Sequence, residues 1–127
     1  MLKYATNPNP KKSARVYGRA VRISTKNSII VCRAINGKNL IKAKNLLSDF
    51  VEQKRSIDGK YYTKTSEEVL GLLKSAEANA TFKGLDTARM VINASAHKGF
   101  SFIRPRRSKL KRTRRKMTNV QIVLVQK

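Results

Sequence analysis

Residues 88–125 run ARMVINASAHKGFSFIRPRRSKLKRTRRKMTNVQIVLV. Both ends of this stretch have a strand pattern, and the middle is almost entirely cationic. Met90, Ile92, Ala94 and Ala96 fall on one side of an extended chain, and Val91, Asn93, Ser95 and His97 on the other, because strand side chains alternate with a period of two. Asn119-Val120-Gln121-Ile122-Val123-Leu124-Val125 forms a second, buried strand. We therefore expect a hairpin whose outgoing arm is Ala88 to Ile103 and whose return arm is Lys109 to Val125. No Asn-Gly or Asp-Gly pair marks a tight turn, so the turn is placed near Arg104 to Lys109. An arm of about fifteen residues reaches ~50 Å at ~3.3 Å per residue, so part of the hairpin must project. A projecting end rich in Arg cannot hold an apolar core, and we expect it to order only against a partner.

Between Arg104 and Lys116, nine of thirteen positions are basic. Such a run is ordinarily a solvated tail, but this one lies between two strands. The rest of the chain extends the pattern. The formal net charge is +22, from 29 Lys and Arg against 7 Asp and Glu in 127 residues. All seven acids lie between Asp49 and Asp86, whereas residues 1–48 carry eleven Lys or Arg and residues 87–127 carry twelve, with no acid in either. That much self-repulsion disfavours a compact state without a polyanion, and phosphate backbones supply one. No apolar run approaches the ~20 residues of a spanning helix and no signal-peptide pattern is present, so no membrane partner is expected.

Working back towards the start, Met1 to Lys12 holds two of the three prolines and no clear period; residues 1–13 are expected to form an extended basic arm. Ala14 to Ile23 is assigned as a strand with Arg15, Tyr17, Arg19 and Arg22 on its exposed side. Ser24 or Thr25 is suited to cap a short helix containing Ile29, Ile30, Cys32 and Ile35, stopped by Gly37 in a left-handed conformation. Leu40 to Lys54 is a second helix with Leu40, Ala43, Leu46, Leu47, Phe50 and Val51 on one face. Residues 57–63 form a loop. A third helix is capped by Ser66, with Glu67 and Glu68 in its first turn, where the macrodipole favours anions. Its buried stripe is Val69, Leu72, Leu73, Ala76 and Ala80, and Gly84 ends it.

Catalytic and metal readings fail on residue types. His97 is the sole histidine and has no evident acid–base partner; a hydrogen-bonding strand residue is the simpler assignment. Cys32, the sole cysteine, lies among isoleucines and is expected to be a buried structural thiol. One His, one Cys and scattered acids do not make a metal site, and no phosphate-binding glycine loop is present. No cofactor, metal or catalytic residue is expected. Tyr61-Tyr62 is expected to pack on the helices rather than stack on bases. Phe100 and Phe102, beside the basic run, are the better stacking candidates. Composition by itself leaves open a DNA-compacting protein, and more remotely a nuclease, which needs clustered carboxylates.

Several segments in order resemble one universal large-subunit ribosomal protein family, the one whose hairpin lines the nascent-peptide exit tunnel, and in particular its archaeal branch. These are Arg22-Ile23-Ser24-Thr25-Lys26, Ala34-Ile35-Asn36-Gly37-Lys38, Ser75-Ala76-Glu77-Ala78-Asn79-Ala80 with Lys83-Gly84-Leu85-Asp86, Ala96-His97-Lys98-Gly99, and Pro105-Arg106. The resemblance spans residues from about 14 to 127. It implies an α+β fold, three helices packed on a small antiparallel sheet with a long projecting hairpin at 88–118, within a single domain at 14–127. It implies a non-enzymatic, cytoplasmic constituent of the ribosome. The implied partners are large-subunit ribosomal RNA, neighbouring ribosomal proteins and nascent peptide at the hairpin tip. By matching position Arg22, Lys26, Lys98 and Arg106 are RNA contacts. His97, in the same motif as Lys98, and the cations Lys11, Lys12, Arg15, Arg19, Arg104, Arg107, Lys109, Lys111, Arg112, Arg114, Arg115 and Lys116 complete the expected RNA-binding set. The tip is expected at Phe102, Ile103, Arg104, Pro105, Arg106, Arg107, Ser108 and Lys109. After the tip proline the family's Arg-Ala-any-Gly-Arg is replaced by Arg106-Arg107-Ser108-Lys109-Leu110.

Overall fold

The computed structural model describes residues 3–107 and 109–127; the expected tip residue Ser108 lies outside them. The described elements run β1 (Ser13–Val21), α1 (Thr25–Ile35), α2 (Leu40–Val51), α3 (Thr63–Phe82), β2 (Met90–Ile103) and β3 (Arg114–Gln126). The strands form one antiparallel sheet in the order β1-β3-β2. The expected α+β architecture is therefore present.

The continuously apolar stretch of β3 takes the centre, where both faces are covered. Val120, Ile122 and Leu124 face the helices opposite Ala14, Gly18, Ile92 and Ala94 of the flanking strands. The predicted alternation of the outgoing arm holds, with Met90, Ile92 and Ala94 buried and Ala96 packed against the core. The helices complete the core with Val31, Ile35, Leu40, Leu47, Phe50, Val69 and Leu73. Cys32 is buried as expected, and burial pushes its thiol up to about 11.

Both sheet edges are blunted by side chains and turns rather than left as templates for another chain. At the β2 edge, Gly37 donates to the Ile92 carbonyl at 2.9 Å and Ile92 to Lys38 at 3.1 Å, while the Asn36 Oδ1 accepts from Ala94. At the β1 edge, Asn79 of α3 and Lys83, the residue just after it, donate to the carbonyls of Arg15 and Ser13.

Several boundaries differ from those expected. The third helix starts at Thr63, with left-handed Tyr62 (φ 49°) before it. Ser66 is not its cap: its N–H already bonds Tyr62 at 2.9 Å and its side chain is buried, so Glu67 and Glu68 sit beyond the first turn. The reason is tertiary, since burial of Thr65 and Ser66 carries the helix one turn further than local capping chemistry specifies. Its other end is as expected: Gly84 (φ 68°) donates to Thr81 at 2.9 Å and Leu85 to Ala80 at 3.0 Å, the paired bonds of a Schellman stop. The second helix ends at Val51 rather than Lys54, where its apolar stripe ends and Gln53 turns left-handed (φ 59°). Tyr62 packs against the core as expected, but Tyr61 is exposed.

The hairpin connection is also longer than expected. The return strand begins at Arg114 rather than Lys109, so the described residues 104–107 and 109–113 lie in the connection, closed by Arg104 N donating to the Thr113 carbonyl at 3.0 Å. Beyond that bond Pro105 has no N–H to give. A continued ladder would also set Arg106 opposite Lys111, and like charges in that position are destabilising. Among the described residues no helix is long and apolar enough to cross a membrane.

Candidate nucleic-acid interface

The hairpin leaves the three-stranded part of the sheet at Thr118, the last β3 residue paired with β1. There the chain is fastened by hydroxyls. The buried Thr118 Oγ1 donates to the Ile23 carbonyl at 2.9 Å and lies 2.8 Å from the Thr25 Oγ1. A hydroxyl has one proton, so Thr25 is the donor in the second bond. Next to it the Asn119 Oδ1 accepts from Ala20 N at 2.9 Å, holding the irregular end of β1, where Ala20 is left-handed (φ 54°). Sequence reasoning singled out neither Thr118 nor Asn119; both partners lie more than ninety positions away.

These bonds place the start of α1 against the root of the hairpin, with a cleft of about 630 Å³ between them. Its walls carry six cations, Arg22, Lys26, Lys98, Arg114, Arg115 and Lys116, and no acid among the described residues. Ser24 caps α1 by position, but its side chain makes no cap bond. The first turn therefore has no side-chain cap from Ser24, and the positive end of the helix dipole adds to the field. Arg115 Nε, like Arg104 Nε, is buried with no hydrogen-bond partner among the described residues. A charged donor in that state is costly unless an anion meets it. None of the four ion pairs among the described residues involves a member of the expected RNA-binding set: Lys44–Glu77, Lys54–Glu52, Arg55–Asp49 and Arg89–Asp86.

The structure thus gathers six of the predicted site residues from three distant segments. Others lie elsewhere. Arg106, Arg107, Lys109, Lys111 and Arg112 are exposed in the loop beyond Arg104, and of the predicted tip residues Phe102 and Ile103 belong to β2. Lys11 and Lys12 are exposed in a short turn before β1. Arg15 is held on the sheet face: its Nη2 donates to the Pro8 carbonyl at 3.1 Å and its guanidinium lies 5.4 Å from the Tyr4 ring centroid. Gln121 pins the arm there, accepting from Ala5 N and donating to the Lys3 carbonyl, both at 2.8 Å. Arg19 is exposed on β1. His97 is a hydrogen-bonding strand residue as expected, with Tyr17 Oη at 3.5 Å and Asn119 Nδ2 at 3.3 Å.

Residues 16–125 match the family model described as Ribosomal protein L22p/L17e. The large ribosomal subunit protein uL22 of Archaeoglobus fulgidus is 37% identical over 119 aligned positions, which cover 77% of this chain and 77% of the relative. That of Methanocaldococcus jannaschii is 32% identical over 123 positions, covering 81% and 79%. That of Neurospora crassa is 37% identical over 114 positions, covering 72% and 61%. With the family model spanning both strands of the hairpin, the helices and the cationic cleft, the chain belongs to the ribosomal protein L22p/L17e family, which is structural and not enzymatic.

Proposed function

We propose that this protein is a structural constituent of the large ribosomal subunit in the cytoplasm, held there by ribosomal RNA. The hairpin at 88–118 runs along the exit-tunnel wall, and residues 102–109 come nearest the nascent peptide. The body contacts neighbouring ribosomal proteins. The observation that carries this reading is the acid-free cleft at the hairpin root, where six cations and an uncapped helix start converge. Arg suits the position because its planar fork bonds phosphate in a bidentate manner. The exposed cations of residues 104–116 extend the same field along the hairpin, and A-form RNA is recognised mainly through shape and phosphates.

The test is a salt titration of binding to large-subunit RNA. Arg22→Ala, Lys26→Ala and Lys98→Ala together are expected to reduce the slope of log K against log salt by about 2 to 3, at ~0.7–0.9 per phosphate contact. An unchanged slope would refute the cleft as an RNA contact. Equal or tighter binding to duplex DNA would favour a DNA-compacting role instead.

A further inference from the structure

The outer face of the sheet, away from the helices, carries an aromatic row that strand alternation alone would break up. On β2, His97 pairs with Asn119 and Phe102 with Arg115. Between them β2 takes three steps, Lys98 to Ser101, while β3 takes two, Thr118 to Lys116. This β-bulge adds one residue and reverses the alternation. Without it Phe102 would face away from His97. With it both side chains share the face of Asn119 and Gln121, and Phe100, two residues before Phe102, joins them.

Gly99 sits in the bulge because a Cβ there would come within 3.0 Å of Asn119 Oδ1 and 3.1 Å of the Met117 carbonyl oxygen. Tyr17 of β1, paired with Gln121, stands on the same face, its ring centroid 6.3 Å from that of His97. Phe100 and Phe102 are 6.5 Å apart with planes 23° from parallel. Phe100 is 68% exposed and Phe102 38%, so neither serves the core. Arg115 is the β3 partner of Phe102, and none of the three strands contains an acid.

We infer that this row is a stacking track for unpaired RNA bases, from Tyr17 and His97 at the body to Phe100 and Phe102 on the hairpin. The inference rests on the RNA-binding reading above and adds that one face of the sheet selects single strands. Flat rings on an open, cationic surface stack splayed bases, whereas the bases of a duplex already stack on one another.

The experiment compares a short oligouridylate with an RNA duplex of matched charge, binding each to the full chain and to two variants. One is Phe100→Ala with Phe102→Ala, on exposed positions outside the core; the other is His97→Ala with Tyr17→Leu, which keeps apolar bulk at the half-buried site. Each variant is expected to lose about 10- to 100-fold in affinity for the single strand, with its salt slope and duplex binding unchanged. Equal losses on both RNAs, or none on either, would overturn the track. So would ring-dependent binding of an uncharged unfolded peptide without ring dependence towards RNA. Failure of the unmodified chain to bind either RNA with a salt slope would instead remove the RNA-binding reading itself.

Discussion

Replacing Thr118 by Val removes one hydroxyl and keeps the side chain's shape. Thr118 is fully buried, and its hydroxyl is the joint between β3, the Ile23 segment that follows β1, and the start of α1. The variant leaves the Ile23 carbonyl without this donor and the half-buried Thr25 hydroxyl without this acceptor. A buried group left unsatisfied costs about 1–3 kcal/mol. The Thr25 hydroxyl can turn to water and adds little, so we expect a loss of about 2 kcal/mol. The assay is urea unfolding followed by far-UV circular dichroism at fixed salt, with an unchanged m-value showing that only stability has moved. A double-mutant cycle with Thr25→Val isolates the joint, and its coupling is expected near 1 kcal/mol, within the ~0.5–3 kcal/mol seen for residues in direct contact. Hydrogen exchange at Ile23 to Lys26 should accelerate in Thr118→Val. A loss below about 0.5 kcal/mol, the scale of an ordinary surface substitution, would show that the hydroxyls do not fasten the hairpin root.

Leu73→Ala opens a cavity where α3 meets the sheet; a side chain buried to this extent is expected to cost about 2–5 kcal/mol, and a loss under 1 kcal/mol in chemical denaturation would contradict the packing. Gly99→Val is expected to cost about 1 kcal/mol or more by crowding Met117 and Asn119, and nuclear Overhauser contacts between residues 102 and 115 should weaken; their persistence would show that the bulge tolerates a side chain. Cys32 gives a pH test. Burial raises its folded value from 9.0 to about 11, so the neutral thiol is favoured in the folded state. The stabilisation is complete below about 9 and is lost as pH rises towards 11, by roughly 2–3 kcal/mol. Cys32→Ala should show a correspondingly flatter fall over that range, and parallel curves would refute the burial effect.

The sequence by itself determined what short-range pattern can encode. The face of α2 follows from apolar spacing of three and four residues, since Leu40, Ala43, Leu47 and Phe50 are all buried. The two hairpin strands follow from alternation, the Gly84 stop from backbone freedom, and the burial of Cys32 from its neighbours. The acid-free ends were equally plain, because charge is counted without knowing the fold. Tertiary structure decided the rest. The cleft joins Arg22 and Lys26 to Lys98 and Arg114 through bonds between residues more than ninety positions apart, which no local spacing reports. The start of α3 was set by burial of Thr65 and Ser66 against the core, which outweighs the capping preference of a serine. The aromatic row depends on one extra residue between Lys98 and Ser101. In a single strand that bulge is invisible; it exists only relative to the partner strand, and it chooses which face Phe100 and Phe102 share.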